Sequence, residues 1–207
     1  MRTAGLDRAR RGGFLQEGAA ASPAPNSVRE LLSVMHEDWV THGREASRAG
    51  LHAILLFRYS AWRLTLRPSV GRKALSTIRH ALWPLVRNVY GIELHETATI
   101  GRRVRIEHSG TVVIDGAAVI GDDCLILHNV TIGRAEEGGG APRIGRSVVI
   151  GPGAVIAGEI EVGDRARIGP NAVVLVDVPA DTTVFAPPGR QIAPRGTRTQ
   201  AHESDVD

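Results

Sequence analysis

The sequence has little cysteine, with Cys124 alone among 207 residues. A single cysteine excludes an intramolecular disulfide framework and a cysteine-based zinc site, and it is typical of a reducing compartment. Long apolar runs are also missing, since the best candidate, residues 51–57, is far shorter than the ~18–20 residues that cross a bilayer. No apolar segment precedes Pro23, which argues against a secretory signal. We therefore expect a cytoplasmic protein without a membrane role.

Lysine is almost absent as well: Lys73 is the only lysine, whereas the sequence has 24 arginines. The charge is unevenly divided, with a net +8 over residues 1–92 and a net −5 over residues 93–207. A basic half would suit nucleic acid. An arginine excess of this kind often reflects genome base composition, so we expect no nucleic-acid partner. A hydrophobic fraction of 43% is enough to bury a core, which excludes wholesale disorder.

The chain before the repeats divides into two parts. Residues 1–27 are rich in Arg, Gly, Ala and Pro without apolar periodicity, which predicts a disordered arm or linker. Ser27 then opens a capping box, and an apolar pattern follows at once. We expect two or three helices over residues 28–90, with breaks at 43–50 and 68–71.

From Leu94 onward an aliphatic residue recurs every six positions. These positions are Leu94, Ile100, Ile106, Ile114, Ile120, Ile126, Ile132, Ile144, Ile150, Ile156, Val162, Ile168 and Val174. A period of six fits neither a helix nor a hairpin, and it predicts a hexapeptide-repeat parallel β-helix whose aliphatic residues fill a narrow prism. The expected fold is therefore mainly β with an α-helical N-terminal region. The β-helix is assigned to residues 91–192, and residues 193–207 are expected to form a flexible tail.

Two interruptions of the repeat are the expected places for function, because excursions leave the core undisturbed. Ile106 and Ile114 are eight positions apart, so two residues are inserted between them. Between Ile132 and Ile144 the chain carries two glutamates and three consecutive glycines, a composition that predicts an extruded loop.

Residues 91–192 resemble the serine O-acetyltransferase family, whose members are left-handed β-helix acyltransferases built from hexapeptide repeats. The matching stretches are GIELHETATIGRRVRIEHSG, VVIDGAAVIGDDCLILHNVTIG and RIGRSVVIGPGAVIAGEIEVGDRARIGPNAVVLVDVP. The preceding GLHAILLFRYSAWR is similar to the last helical part of that family's N-terminal region. The resemblance implies a shortened or divergent member that transfers acetyl from acetyl-CoA to a small-molecule hydroxyl, with L-serine as the leading acceptor.

The resemblance also implies a catalytic base. A hydroxyl is a poor nucleophile until a base removes its proton during attack on the thioester. His108, with Glu107 beside it, matches the family's catalytic histidine. Glu93 falls where the family has an aspartate paired with that histidine, and a carboxylate there would fix the imidazole tautomer and stabilise the imidazolium. Both carboxylates are Glu in this chain rather than Asp, so their arms are longer.

His128 occupies the same hexad position as His108 one coil further along, once the two inserted residues are discounted. The two would stack at roughly the ~4.8 Å spacing of neighbouring strands. Two interpretations stay open, a supporting contact to the base or substrate and an ordinary surface histidine. Zinc-dependent carbonic anhydrases use the same prism with three histidines. In this region only His95 could join His108 and His128, and no two of these histidines have the close sequence spacing of a zinc site. No metal is therefore expected.

The acceptor loop departs from the family, which carries an Arg-His-Pro where this chain has Gly140, Ala141 and Pro142. The usual bidentate clamp for a substrate carboxylate is therefore missing. Arg134 or Arg143 is expected to supply positive charge instead. A sugar or another hydroxylated metabolite remains the alternative acceptor.

Coenzyme A is placed by the family in a groove between neighbouring subunits. The positions matching that groove are Gly133, Gly151, Pro152, Gly169 and Pro170, whose small or φ-restricted residues allow close approach. Arg167 stands where the family often has a lysine near the nucleotide phosphates. Arg190 matches the arginine that ends the family's GVPAR segment.

Assembly follows from the same resemblance. A homotrimer or a dimer of trimers is expected, because the family's active site needs two subunits. The tail after Ile192 is polar and ends in Asp205, Val206 and Asp207, without the terminal isoleucine that docks into cysteine synthase. We therefore expect no such complex. The competing interpretation is a non-catalytic scaffold or binding module, which the altered loop favours and the match at His108 and Glu93 opposes.

Overall fold

The computed structural model describes residues 24–190, so most of the predicted arm and all of the predicted tail lie outside the described residues. Three helices come first: α1 Val28–Thr41, α2 Ala49–Thr65 and α3 Val70–Tyr90. The strands that follow are β1 Ile92–Leu94, β2 Thr99–Ile100, β3 Arg105–Ile106, β4 Val112–Ile114, β5 Val119–Ile120, β6 Leu125–Ile126, β7 Val130–Gly133, β8 Arg143–Ile144, β9 Val149–Ile150, β10 Val155–Ala157, β11 Glu161–Val162, β12 Arg167–Ile168, β13 Val173–Val174 and β14 Thr183–Val184. Within residues 24–190, none of the helices is long and apolar enough to cross a membrane.

The strands form three parallel sheets, which are the sides of a prism. The first sheet has the order β1-β4-β7-β10-β13, the second β11-β8-β5-β2 and the third β14-β12-β9-β6-β3. Each of the first four coils contributes one strand to each sheet, and the last coil contributes β13, β14 and a single bridge at Val178. The predicted parallel β-helix behind a helical region is therefore confirmed. The repeated aliphatic residues stack in register inside the prism, as Ile106, Ile126 and Ile150 do in the third sheet. These three side chains are at most 1% exposed.

The second interruption is an extruded loop, as predicted. Ile114 and Ile120 are six positions apart where the chain passes from the first sheet to the second. Ile132 and Ile144 make the same passage in twelve positions, and both remain in register with their neighbours. Six extra residues therefore leave the prism between β7 and β8 without disturbing the stack.

Local signals explain the helix boundaries. The hydroxyls of Ser27 and Ser69 cap α1 and α3 by accepting backbone N–H bonds of 3.2 Å. Gly91 ends α3 in the left-handed conformation, with φ 72°, and turns the chain into β1. Gly50 was expected in the break between α1 and α2 but lies in the first turn of α2. A Cβ there would collide with the Ile106 carbonyl, so only glycine lets the helix approach the prism this closely.

The helical region covers the open end of the β-helix. Strands β1, β2 and β3 are the edge strands of their sheets there, and an edge strand exposes backbone groups without a partner. Arg58 donates from Nη1 to the Ile100 carbonyl and from Nη2 to the Gly101 carbonyl, each at 2.6 Å. Its Nε donates to Asp38 at 2.9 Å, and both side chains are almost fully buried. A buried ion pair thus replaces the hydrogen bonds that a further coil would supply.

Candidate functional site

His108 lies on the turn between β3 and β4, where the chain passes from the third sheet to the first. This turn contains the two inserted residues, because later coils cover the same passage in six positions. The His108 backbone has a φ of 67°, which is uncommon for a residue other than glycine. Asn129 and Asn171 have the same left-handed conformation at this corner of later coils, so it belongs to the turns of the repeat. The side chain of His108 is exposed, so the turn presents an accessible imidazole.

Sheet register brings several predicted residues to one edge of the prism. Because Ile106, Ile126, Ile150 and Ile168 are aligned in the third sheet, the residues that follow them also stack. We call this line the histidine edge, and it consists of Glu107, His108, Leu127, His128, Gly151, Pro152, Gly169 and Pro170. The proposed base and four of the expected coenzyme positions therefore share one edge on successive coils.

His128 contacts His108 directly. The two ring centroids are 5.5 Å apart and the ring planes are nearly perpendicular, at 88°. Gly110 packs on the other side, where a Cβ would lie 3.0 Å from the His128 Cβ. The His128 Nδ1 is buried and has no hydrogen-bond partner among the described residues. An unpaired buried polar atom costs about 1–3 kcal/mol, so this nitrogen needs a partner such as water or a bound molecule.

Two arginines hold the Glu107 carboxylate. Arg105 Nε lies 3.2 Å from Glu107 Oε1, and Arg48 Nη1 lies 3.6 Å from the same oxygen. Arg48 precedes α2, so the helical region reaches the histidine edge. Sequence reasoning did not find Arg48, because a residue 59 positions away carries no periodic signal. The arrangement keeps a negative charge oriented beside the proposed base.

Glu93 has a different partner in this chain. It points outward from β1, and its Oε2 lies 3.4 Å from the Nε of Arg87 on α3. Among the described residues, it makes no hydrogen bond to His108. The expected pairing of Glu93 with His108 is therefore not formed in the isolated chain and stays a prediction.

Arg134, one of the residues expected to bind the acceptor, lies on another edge together with the expected coenzyme position Gly133, where the first sheet passes to the second. Gly133 ends β7 there, and the Nη2 of Arg134 lies 3.2 Å from Asp115 Oδ1. With Glu93 and Glu136, they line a pocket of about 440 Å³. The Asp115 carboxylate partly neutralises Arg134, which weakens Arg134 as a carboxylate clamp.

Arg143 lies on the outward face of the second sheet, in register with Val119 and Glu161. It is exposed and lies on neither the histidine edge nor the Arg134 pocket. One sheet separates the histidine edge from the edge that carries Gly133 and Arg134. A single site that uses both edges therefore needs two chains.

The arginines expected near the CoA nucleotide are both exposed. Arg167 points outward from β12, in register with Val149 and Thr183. Arg190 follows β14 and is the last residue described. Within residues 24–190, neither guanidinium makes an ion pair, so both charges are available to an anionic ligand.

The shortened acceptor segment lies against the prism. Ala141 is 9% exposed and Pro142 is buried. A Cβ at Gly140 would collide with the side chain of Glu159. A larger side chain at residue 140 therefore requires the exposed side chain of Glu159 to move.

A metal site is not favoured by the geometry. His95 lies at the edge that carries Asp115, where its Nδ1 is 2.9 Å from the Thr97 hydroxyl. His108 and His128 lie at the histidine edge, so the three imidazoles do not converge. In the described part of the chain, no group of three or more His, Cys, Asp or Glu side chains could hold a metal ion.

Comparisons with known proteins agree on one family. The family described as "Bacterial transferase hexapeptide (six repeats)" matches residues 141–175. The chain is similar to a serine acetyltransferase of Synechocystis, with 44% identity over 156 residues, which is 74% of this chain and 60% of that protein. It is also similar to a serine acetyltransferase of Helicobacter pylori strain 26695, with 39% identity covering 69% of this chain and 81% of that protein.

A solved structure is similar throughout the fold. The serine acetyltransferase of Brucella abortus in complex with coenzyme A superimposes with a TM-score of 0.64 and 27% identity. The similarity covers 79% of this chain and 68% of that one. The match spans about three fifths of the length of the Synechocystis relative.

Proposed function

This chain belongs to the serine acetyltransferase family, and from that membership we propose that it transfers the acetyl group of acetyl-CoA to the hydroxyl of L-serine. The observation that carries the proposal is the exposed His108 on the two-residue interruption, at the edge that also carries four of the expected coenzyme positions.

In the proposed reaction His108 acts as the general base. Its imidazole takes the proton of the serine hydroxyl while the oxygen attacks the thioester carbonyl. The proton then passes to the CoA sulfur as the carbon–sulfur bond breaks. Glu107, held by two arginines, and Glu93, from an adjoining surface, are the carboxylates proposed to orient and stabilise the imidazolium.

Acetyl-CoA is the proposed donor, and no metal takes part in the proposed reaction. The pantetheine arm would lie along the histidine edge, where the small side chains of Gly151, Pro152, Gly169 and Pro170 allow it to approach the backbone closely. Gly133 would border the arm from the neighbouring chain. The guanidinium groups of Arg167 and Arg190 would meet the nucleotide phosphates, because arginine pairs well with phosphate oxygens.

L-serine is the leading acceptor because the relatives that this chain matches are named serine acetyltransferases. A sugar or another hydroxylated metabolite is the second candidate, and two observations favour it. The clamp segment lacks its arginine and histidine, and Asp115 partly neutralises Arg134. His128, which lies on the histidine edge beside His108, would then be the remaining expected contact for an acceptor.

We also propose a trimer as the minimal active assembly. A site that combines His108 with the Arg134 pocket needs two edges that one chain does not bring together. Apolar side chains on the last coils are strongly exposed, among them Val173 at 63% and Phe185 at 77%. A partly apolar face of α3, with Leu82 at 45% and Leu85 at 52%, offers a second contact for a dimer of trimers.

The test is the release of CoA thiol from acetyl-CoA by the purified chain. It is run with L-serine, D-serine, L-homoserine and a panel of amino sugars and nucleotide sugars, and products are identified by mass spectrometry. O-acetylserine formation supports the proposal, and preference for a sugar supports the second candidate. Thiol release that no acceptor accelerates would leave the scaffold interpretation in place.

A further inference from the structure

His42, at the end of α1, joins the helical region to the strand that leads into His108. Its side chain is fully buried. The Nδ1 lies 2.7 Å from the Asp38 carbonyl, and the Nε2 accepts the backbone N–H of Ile106 at 3.3 Å. A backbone amide can only donate, so Nε2 carries no proton and Nδ1 carries the one that is donated to Asp38. The contacts therefore require neutral His42 in one tautomer.

The hydrogen bond to Ile106 is one of several contacts that fix the backbone just before His108. Ile106 belongs to the edge strand β3, so its outward N–H has no strand to pair with. On the other side of the strand, the Glu107 N–H donates to the Ile126 carbonyl at 2.9 Å. The Ile106 carbonyl is packed against Gly50, where any Cβ would collide with it. Residues 106 and 107 are thus held by the prism on one side and by α1 and α2 on the other.

We propose that His42 is a positioning residue for His108, because it fixes the Ile106 amide and with it the backbone from which the base projects. The inference rests on the proposed function, since positioning matters to rate only if His108 is the base. A displacement of about 1 Å can cost ~10²-fold in rate even when the mutated residue is far from the chemistry. The effect on rate belongs in kcat, because the residues proposed to bind acetyl-CoA lie on later coils than the backbone that His42 holds.

Three charged groups face His42: Asp38 from α1, Arg48 from the connection to α2, and Arg105 from β3. Burial lowers the pKa of His42, and both arginines act in the same direction while Asp38 opposes them. A protonated His42 could not accept the Ile106 N–H. Acid should therefore release the backbone before His108.

Two amide variants separate positioning from packing. In His42→Gln the amide oxygen reaches roughly the place of Nε2, whereas in His42→Asn it reaches only that of Nδ1. His80→Asn is the matched control, because the Nδ1 of His80 makes the same 2.7 Å bond to a carbonyl four residues back but is exposed on α3. The readouts are kcat, the KM for acetyl-CoA, and hydrogen–deuterium exchange of the peptide covering residues 103–112.

We expect His42→Asn to lower kcat by ~10- to 100-fold, with the KM for acetyl-CoA within about two-fold of wild type. Exchange of the 103–112 peptide should be faster in that variant. His42→Gln and His80→Asn should behave like wild type. Wild-type kcat in His42→Asn, or equal losses in the Asn and Gln variants, would overturn the proposal.

Two further comparisons apply if the His42→Asn variant does not fold or if the wild type is inactive. If His42→Asn does not fold, the pH dependence of kcat is compared between wild type and His42→Gln. The ratio of kcat in wild type to kcat in His42→Gln, in which titration of the shared base cancels, should fall on the acid side because the amide does not titrate. A ratio that does not change with pH would refute the inference. If wild type itself proves inactive, the proposed function fails. The exchange experiment then decides alone, and equal exchange in the Asn and Gln variants would count against a positioning role.

Discussion

Replacing Arg58 by methionine should strongly destabilise the helical region, because three buried groups lose their partner together. Asp38 is 0% exposed and would keep an uncompensated charge, while the carbonyls of Ile100 and Gly101 would lose donors at 2.6 Å. Breaking a buried pair by removing one partner costs ~3–5 kcal/mol. The orphaned carbonyls push the expected loss in the free energy of unfolding toward the upper end of that range.

The assay is urea unfolding followed by tryptophan fluorescence. Trp39, Trp62 and Trp83 lie on α1, α2 and α3, so the signal reports on the helical region. Protein concentration is held fixed, because assembly contributes to apparent stability. Adding Asp38→Leu to Arg58→Met should recover part of the loss, since it removes the buried charge.

Arg165→Met is the matched control for that prediction. Arg165 makes two 2.7 Å bonds to Asp181, but both side chains are more than half exposed. Solvent screens such a pair, so the urea midpoint should not change measurably. If Arg58→Met shifted the midpoint no more than Arg165→Met, the capping role assigned to Arg58 would be wrong.

Three further predictions concern the proposed reaction. His108→Ala should lower kcat by ~10²- to 10⁴-fold with little change in CoA affinity or stability, as measured by thiol release and calorimetry. Near-normal turnover would mean that another residue is the base, and His128 would be the first candidate. Ala141→His should not raise serine activity, because residue 141 is buried against the prism and the missing arginine is not restored; a clear gain in kcat/KM for serine would contradict this. Arg167→Gln should weaken CoA binding in a salt-dependent way while leaving acetyl transfer at saturating donor intact, whereas an unchanged CoA dissociation constant would remove Arg167 from the phosphate site.

The β-helix could be predicted because each coil must place an aliphatic residue inside the prism at the same step. Ile106, Ile126 and Ile150 stack for that reason, and counting the two inserted residues correctly placed His128 on the coil next to His108. The same counting distinguishes the extruded loop from a prism wall. Periodicity therefore carries both the fold and the stacking of its corners.

Contacts between the helical region and the prism could not be predicted in this way. Arg58 donates hydrogen bonds to Ile100 and Gly101, which are 42 and 43 residues away, and the sequence spacing does not predict these contacts. The partner of Glu93 was missed for the same reason, since Arg87 belongs to α3. Edge-strand groups need partners, but the sequence does not say which helix supplies them.

The buried state of His42 also has a consequence for stability against pH. Burial lowers the pKa of His42 below its ordinary value of 6.5 in the folded chain. As the pH falls through about 6.5, the unfolded chain therefore takes up a proton that the folded chain still refuses, which favours unfolding. The stabilisation is present in full above that pH and is lost below it, with a slope of at most about 1.4 kcal/mol per pH unit.

His42→Gln isolates this effect, because glutamine keeps the acceptor for Ile106 but does not titrate. The difference in free energy of unfolding between wild type and His42→Gln should shrink or change sign as the pH is lowered from about 7.5 to about 5.5. Other histidines and carboxylates contribute equally to both proteins and cancel in the difference. A difference that stays constant across this interval would mean that His42 takes up its proton at the same pH in the folded and unfolded chain, and the neutral, buried acceptor described for it would be wrong.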